Sequence, residues 1–348
     1  EIASCLVGSE MCIRDRVEAW AKDAIELKQQ HPELLTTTAE IKAQKPSLEF
    51  VPASDEEILL LLHENEAIFD EKELRFRLGQ ANAGMINASE LDVMVNEFIQ
   101  RNELVRVCPE LIHDDDRGTT LARRHTEERL AAPWMVSMEQ EILHKVMSRE
   151  GEKAQHVSPS KLSDAIQDFE AKKGFKISQE QREAVEHLTI GTGGVGVLSG
   201  LAGTGKTTVA LLYSAAFKAE GRTVLGACVS NSAAEKLQEE TGLHCTSIAK
   251  MLSDLKKGKL TLSSEHVVVL DEAGMVDSKQ TRDMLAYCSQ AGSKLILQGD
   301  QEQIQPVGAG SGMGIVKDAI GDAKLTKIRR QRNAQDRHTA GLFYNYAA

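Results

Sequence analysis

This sequence contains few aromatic residues and no excess of basic charge. Phe, Trp and Tyr make up 4% of its 348 residues, and the formal net charge at pH 7 is −11. The low aromatic content disfavours extensive base-stacking surfaces. Contact with nucleic acid would need a local cluster of basic residues. One cluster near the C-terminal end consists of Lys324, Lys327, Arg329, Arg330, Arg332 and Arg337. A solvated face would explain this cluster as well.

Metal-binding cysteine patterns and long hydrophobic runs are also lacking. The six cysteines form no Cys-x-x-Cys pair and have no paired histidines nearby, so neither a zinc site nor a disulfide framework is indicated. The longest aliphatic run, residues 58–62, is far shorter than the roughly 20 residues of a membrane span, and no signal segment opens the chain. We therefore expect a cytoplasmic location and no membrane insertion.

The first half of the chain divides into segments of different character. Residues 1–16 resemble a translated sequencing-adapter artefact and are set aside, and residues 17–52 are predicted to be a helical linker. Residues 53–108 contain three helix patterns followed by a short strand, which predicts a small, mostly helical, winged-helix-like domain. The sequence is equally compatible with a DNA-contacting role and with a purely structural role for this domain. Residues 109–175 are predicted to be a helical connector.

From residue 176 onward, short apolar runs alternate with helical patterns. Such runs are typical of parallel strands that are buried on both faces. An α/β domain with a parallel sheet is therefore predicted for residues 176–325. The predicted strands are residues 195–199, 223–229, 266–270 and 294–298.

Residues 200–207, Gly-Leu-Ala-Gly-Thr-Gly-Lys-Thr, fit the phosphate-loop pattern G-x-x-x-x-G-K-[ST] between a predicted strand and helix. In this motif backbone N–H groups and the helix N-terminus surround the phosphates. Lys206 is predicted to reach the β- and γ-phosphates, and Thr207 to bind magnesium. The pattern thus predicts a RecA-like P-loop NTPase sheet with ATP and Mg²⁺ as cofactors. The residues expected to bind the nucleotide are Gly200, Ala202, Gly203, Thr204, Gly205, Lys206, Thr207 and Thr208.

Two carboxylates follow the third predicted strand. Asp271 and Glu272 come directly after the apolar residues 267–270, at a strand end that lies beside the phosphate loop in this fold. Asp271 suits the magnesium shell, and Glu272 is placed to act as general base toward the attacking water. An Asp-Glu pair here favours a nucleic-acid motor over a nucleotide kinase.

Three further segments resemble superfamily 1 helicase motifs. Residues 299–307 contain Gly-Asp-x-x-Gln-x-x-Pro-Val, which resembles motif III and implies that Gln303 senses the γ-phosphate. Residues 177–185 resemble the adenine-binding Q motif, with Gln181 in the base-contacting position, although an ordinary polar helix residue would also fit. Residues 325–331 resemble motif IV, which implies that Arg330 touches the γ-phosphate.

Between the phosphate loop and Asp271, residues 226–237 and 246–249 resemble DNA-contacting motifs Ia and Ic of the same superfamily. The resemblance implies that Ser230, Asn231 and Thr246 hold DNA phosphates without distinguishing bases. Helix capping explains Ser230 and Thr246 nearly as well.

Taken together, Asp-Glu-Ala-Gly-Met-Val, Ser-Ala-Ala-Glu-Lys-Leu and Ile-Arg-Arg-Gln most resemble the helicase region of TraA-family conjugative relaxases. The resemblance runs from about Asp55 to the end of the chain. It implies a 5′-to-3′ ATP-dependent DNA helicase with single-stranded DNA and conjugation or relaxosome proteins as partners. Two positions depart from the family pattern, since Gln335 replaces an aromatic residue and Gln301 replaces proline.

The resemblance also implies that the motor is incomplete. Residues 326–348 are predicted to be the start of a truncated second motor lobe, so we expect ATP binding but slow hydrolysis. The tyrosine nucleophile and histidine cluster of a relaxase nicking domain are not found in the sequence and would lie upstream. Two other functions stay open: a RecD-like repair helicase or exonuclease subunit, and a non-unwinding interaction module switched by ATP.

Overall fold

The computed structural model describes residues 53–83, 85–107, 129–300, 306 and 308–327. The predicted artefact segment 1–16, the predicted linker 17–52 and residues 328–348 of the predicted second lobe lie outside these ranges. Within the described part of the chain, no helix combines the length and the apolar character needed to cross a membrane.

The small N-terminal domain packs three helices against a three-stranded antiparallel sheet of order β1-β3-β2. Phe69, Leu74 and Phe98 are fully buried at its centre. The three helices and the strand at residues 105–107 follow the predicted order, whereas the strands at residues 69–70 and 129–131 have no counterpart in the prediction. Its elements are α1 (Asp55–Leu62), β1 (Phe69–Asp70), α2 (Glu71–Ala81), α3 (Ala88–Arg101), β2 (Val105–Val107) and β3 (Arg129–Ala131).

Strand β3 lies beyond the boundary at residue 108 that the sequence pattern suggested. Leu130 pairs with both Phe69 and Arg106, so β3 is the central strand and the sheet depends on it. A three-residue strand after a long intervening segment carries too little periodicity to be found from the sequence. The domain therefore extends to Ala131.

Side-chain caps explain why two of these helices start where they do. The Ser54 hydroxyl accepts a hydrogen bond from the Glu57 N–H at 3.2 Å, while the Glu57 carboxylate accepts from the Ser54 N–H at 2.7 Å. This reciprocal box satisfies two N–H groups that a helix start otherwise leaves open. Asp70 caps α2 by accepting from the Glu73 N–H at 2.8 Å.

The large domain is built on a six-stranded, wholly parallel sheet of order β6-β5-β7-β8-β4-β9. Every residue of β4 and β8 is buried, as expected for strands covered on both faces. The predicted α/β parallel sheet is confirmed. Its strands are β4 (Val195–Gly200), β5 (Thr223–Cys228), β6 (His244–Ser247), β7 (His266–Leu270), β8 (Lys294–Gly299) and β9 (Ala323–Leu325).

Helices cover both faces of this sheet, and alternate strand residues face opposite layers. Val267 and Val269 face one hydrophobic cluster, whereas Val268 and Leu270 face the other. The helices are α4 (Pro133–Ser148), α5 (Pro159–Lys173), α6 (Gln179–Glu186), α7 (Lys206–Ala219), α8 (Asn231–Thr241), α9 (Ile248–Lys256), α10 (Ser278–Ala291) and α11 (Gly312–Ile320).

The two helices of the predicted connector are part of these layers. Ile142 and Val146 of α4 are buried in one cluster, and Leu162 and Ile166 of α5 are buried in the other. Burying each such side chain contributes about 1.5–3 kcal/mol. Residues 133–173 therefore stabilise the sheet on both faces, which a polar linker would not do.

Candidate nucleotide-binding site

The phosphate loop connects the carboxyl end of β4 to the first residue of α7. Within it, Gly203 and Gly205 adopt left-handed backbone conformations, with φ of +81° and +99°. A Cβ atom added to Gly205 would lie 2.5 Å from the Gln181 Nε2 atom. The left-handed backbone therefore favours glycine at position 205, and an added Cβ would also displace the Gln181 amide.

Internal hydrogen bonds hold the loop in this shape. The Lys206 Nζ donates to the Gly200 carbonyl at 2.6 Å, and the Thr204 hydroxyl donates to the Leu201 carbonyl at 2.8 Å. Thr204 is buried, so its side chain supports the loop rather than contacting a ligand. The lysine lies folded across the loop, from which its flexible stem can carry the ammonium to a bound phosphate.

A cleft of about 560 Å³ opens beside the loop. Loop residues line it together with α8 and the end of β7, so the structure brings together residues far apart in sequence. Of the predicted site residues, those that line it are Ala202, Gly203, Gly205, Lys206, Thr207, Thr208, Asp271 and Glu272. Lys236 and Glu240 of α8, which sequence reasoning missed, line it as well. A more open groove of about 640 Å³ between α5 and α6 contains none of the predicted nucleotide ligands.

Asp271 and Glu272 enter the cleft from the end of β7. The Asp271 N–H donates to the Ala227 carbonyl at 2.9 Å, which continues the pairing of β7 with β5. Burial raises the pKa of Asp271, and burial together with the neighbouring Asp271 raises the pKa of Glu272. A raised pKa brings a carboxylate closer to the range in which it accepts protons efficiently.

Glu272 has a left-handed backbone with φ of +52°. Such a conformation costs a non-glycine residue about 1–3 kcal/mol, and such residues cluster at functional sites. Among the described residues, Glu103 and Glu272 are the non-glycine residues with a positive φ, and Glu272 is the one that lines the cleft and that the sequence pattern assigns as general base.

Oxygen ligands suited to magnesium lie in the same cleft. The Thr207 hydroxyl and the Asp271 carboxylate are the hard donors that Mg²⁺ prefers beside phosphate oxygens. The Thr207 hydroxyl donates to the Glu240 carboxylate at 3.4 Å. These residues fit a magnesium ion bound jointly with a nucleotide.

Behind Asp271 lies a buried hydrogen-bond chain that sequence reasoning missed. The Gln298 Nε2 donates to Asp271 Oδ1 at 2.8 Å, and the Tyr213 hydroxyl donates to Gln298 Oε1 at 2.7 Å. The one sequence signal is a glutamine directly after three apolar strand residues, 295–297, since polar side chains buried there need partners.

Gln181 contacts the phosphate loop instead of lining the cleft. Its Oε1 atom accepts from the Ser178 N–H at 3.1 Å in the capping box of α6, and its Nε2 atom faces Gly205. The side chain is buried. Gly200, at the end of β4, does not line the cleft either. Contact of Gln181 with adenine stays a prediction.

The predicted DNA-contacting residues lie at the carboxyl ends of two neighbouring strands, β5 and β6. Ser230 and Asn231 are exposed at the start of α8, and Thr246 is half-buried near the end of β6. Ser230 also caps α8, because its hydroxyl accepts from the Ala233 N–H at 3.1 Å. Capping and phosphate contact are compatible, since a hydroxyl both accepts and donates. Gln303 and Arg330 lie outside the described residues, and their roles stay predictions.

The geometry agrees with comparisons to known proteins. Residues 176–345 match a family model described as AAA domain. Conjugal transfer protein TraA of Rhizobium radiobacter is 29% identical over 275 residues, which are 79% of this chain and 24% of that protein. Probable conjugal transfer protein TraA of Sinorhizobium fredii (strain NBRC 101917 / NGR234) is 38% identical over 157 residues, which are 45% of this chain and 14% of that protein. The chain is therefore similar to part of these TraA proteins.

A DNA helicase is also among the relatives. ATP-dependent RecD2 DNA helicase of Deinococcus radiodurans is 28% identical over 166 residues, which are 46% of this chain and 22% of that protein. This chain therefore has a P-loop NTPase fold in its large domain and is similar to part of a DNA helicase. It spans about a quarter or less of the length of each of these relatives.

Proposed function

We propose that this chain is part of an ATP-driven motor that moves along single-stranded DNA in the 5′-to-3′ direction within a conjugative transfer protein. The observation that carries this proposal is the cleft in which Lys206, Asp271 and Glu272 meet. The RecD2 DNA helicase relative supports the choice of DNA as the track, and the TraA relatives support a role in conjugal transfer. We infer the 5′-to-3′ direction from the resemblance of this sequence to superfamily 1 helicase motifs.

In the proposed reaction the loop backbone and Lys206 bind the β- and γ-phosphates of ATP. Thr207 and Asp271 would hold Mg²⁺, which neutralises charge on the phosphates. Glu272 orients a water molecule and accepts its proton as the water oxygen attacks the γ-phosphorus. The bond from phosphorus to the ADP oxygen breaks, and phosphate leaves. Gln303 and Arg330 are proposed to sense and stabilise the γ-phosphate.

DNA is proposed to cross the carboxyl ends of β5 and β6. Ser230, Asn231 and Thr246 would contact its phosphates, because short hydroxyl and amide side chains hold the backbone without distinguishing bases. These residues belong to elements that flank the nucleotide cleft, so a change in bound nucleotide can alter the DNA contacts. Conjugation or relaxosome proteins are proposed as further partners.

A RecD-like repair helicase is the second candidate, favoured by the similarity to RecD2 of Deinococcus radiodurans. Both candidates use the same nucleotide and DNA contacts. They differ in the proteins with which the motor assembles, and binding to relaxosome components would separate them.

The proposal can be tested by fluorescence anisotropy with labelled oligo-dT, with and without a non-hydrolysable ATP analogue. We expect the nucleotide to change the DNA affinity severalfold, and Ser230→Ala with Thr246→Ala to weaken binding on all sequences alike. Thr223→Ala, at the opposite end of β5 from Ser230, is the matched control. DNA affinity that neither nucleotide nor the double variant alters would contradict the proposal. Displacement of streptavidin from the 3′ but not the 5′ end of biotinylated oligonucleotides would support the direction.

A further inference from the structure

Three residues from different elements form one continuous hydrogen-bond chain under the nucleotide cleft. The Tyr213 hydroxyl lies 2.7 Å from Gln298 Oε1, and the Gln298 Nε2 lies 2.8 Å from Asp271 Oδ1. Tyr213 is 0% exposed and Gln298 is 1% exposed, so water does not compete for the bond between them. Buried hydrogen bonds of this kind fix side-chain orientation more firmly than exposed ones.

The chain of bonds has one direction. An ionised carboxylate only accepts hydrogen bonds, so it requires the NH₂ end of the Gln298 amide. The amide oxygen then points away from Asp271 and accepts from the Tyr213 hydroxyl. A reversed amide would set its oxygen against the carboxylate. Asp271 therefore selects the amide orientation, and the Tyr213 hydroxyl pairs the amide oxygen that this orientation turns toward the core.

The positions of the three residues link the parts of the site. Tyr213 lies on α7, the helix that begins with Lys206, while Gln298 lies near the end of β8 and Asp271 directly follows β7. Strand β8 lies between β7 and β4 in the sheet. The bonds thus join the phosphate-loop helix to the acidic residue across the strand that separates them.

Packing in the hydrophobic core does not by itself explain why residue 298 of β8 is a glutamine. The residues before it in β8, Leu295, Ile296 and Leu297, are fully buried and apolar. A polar amide in such a strand costs free energy unless each of its groups is paired. Both ends of the Gln298 amide are paired, and one partner is the residue assigned to magnesium.

We propose that Tyr213 and Gln298 are positioning residues that fix one oxygen of Asp271 and leave the other for the divalent cation bound with the nucleotide. This inference rests on the proposed function of the cleft. Neither residue touches the nucleotide, so both act through Asp271. Their loss should weaken the cation's contribution to binding and spare the contacts that the phosphate loop makes by itself.

The test is a magnesium titration of the binding of a fluorescent ATP analogue, followed by anisotropy, with a parallel series in EDTA. Gln298→Met removes both hydrogen bonds at similar side-chain volume, and Tyr213→Phe removes only the hydroxyl. We expect Gln298→Met to raise the Mg²⁺ concentration for half-saturation about tenfold or more, because hydrogen bonds to charged groups have effects of this order. Tyr213→Phe should raise it less. Affinity in EDTA should stay within about twofold of wild type.

Gln155→Met and Tyr287→Phe are matched controls. Gln155 is a buried glutamine that donates to the Gly292 carbonyl before β8 begins, and Tyr287 is a partly buried tyrosine of α10. Neither should change the magnesium dependence. If Gln298→Met does not fold, Tyr213→Phe alone decides the outcome, since it removes one oxygen atom.

Two results would overturn the inference while the proposed function stands. One is an unchanged magnesium dependence in both variants, and the other is an equal loss of affinity with magnesium and in EDTA, which a merely structural role would produce. A wild-type protein that binds no nucleotide under either condition would overturn the proposed function, and the inference with it.

Discussion

Gln181 and Gly205 are in such close contact that a methyl group on the glycine would lie 2.5 Å from the Gln181 Nε2 atom. The phosphate loop is therefore packed against α6 as well as being joined to β4 and α7. Because Gln181 also belongs to the capping box of α6, the start of that helix and the shape of the loop depend on each other.

The first prediction concerns Gly205→Ala, which should lower both stability and ATP affinity. The new side chain meets a left-handed backbone and the Gln181 amide at once. Gly221→Ala is the matched control, since Gly221 has a φ of +79° but nothing within 4 Å of an added Cβ. We expect about 1–2 kcal/mol of destabilisation for Gly221→Ala from backbone strain alone and a larger loss for Gly205→Ala. Urea denaturation gives both values, and equal losses would show that the contact with Gln181 has no effect.

The second prediction concerns the acidic pair. Glu272→Gln should bind Mg-ATP with near wild-type affinity but lose about 10²-fold or more in hydrolysis, because the amide cannot accept the proton of the attacking water. Single-turnover assays with protein in excess make even slow hydrolysis measurable. Glu239→Gln, on the exposed face of α8, should hydrolyse ATP at the wild-type rate. Wild-type hydrolysis by Glu272→Gln would remove Glu272 from its assigned role.

The third prediction concerns Lys294, a buried lysine at the amino end of β8. Its Nζ donates to the carbonyls of Thr192 and Gly193 at 2.8 and 2.6 Å and to the Thr192 hydroxyl at 3.0 Å. Burial, reinforced by the Arg149 charge, lowers the pKa of Lys294 to about 7. The folded protein then holds fewer protons than the unfolded chain between pH 7 and the ordinary lysine pKa of about 10.4.

Stability of the wild type relative to Lys294→Met should therefore rise with pH across this window, by up to about 1.4 kcal/mol per pH unit, and be constant below it. Urea denaturation of both proteins at several pH values measures the difference. Lys218→Met, at an exposed position of α7, should give no such slope. A difference between wild type and Lys294→Met that is independent of pH would show that Lys294 keeps its ordinary pKa.

Much of the large domain can be predicted from sequence, because fully buried parallel strands produce short, continuous apolar runs. Strands β4, β5, β7 and β8 have this signature. Strands β6 and β9 do not, since they lie at the edges of the sheet and contain polar residues. Their strand character comes from pairing with β5 and β4, which only the tertiary structure reveals.

The candidate site likewise contains some residues that the sequence predicts and others that only the tertiary structure reveals. Lys206, Asp271 and Glu272 can be found from the sequence because each lies at a fixed place relative to a strand end. The Tyr213–Gln298–Asp271 chain cannot, because it depends on β8 lying between β4 and β7. That strand order is not encoded in any local spacing. The contact of Gln181 with Gly205 likewise depends on how α6 packs beside the loop.

Calorimetry of Mg-ATP binding to wild type and Lys206→Ala tests the central claim most directly, with Lys218→Ala at the far end of the same helix as the control. The account predicts that wild type and Lys218→Ala bind Mg-ATP, and that Lys206→Ala nearly abolishes binding because it removes the cation that faces the β- and γ-phosphates. Wild-type affinity in Lys206→Ala would contradict the account, because it would mean that residues 200–207 are not the nucleotide site.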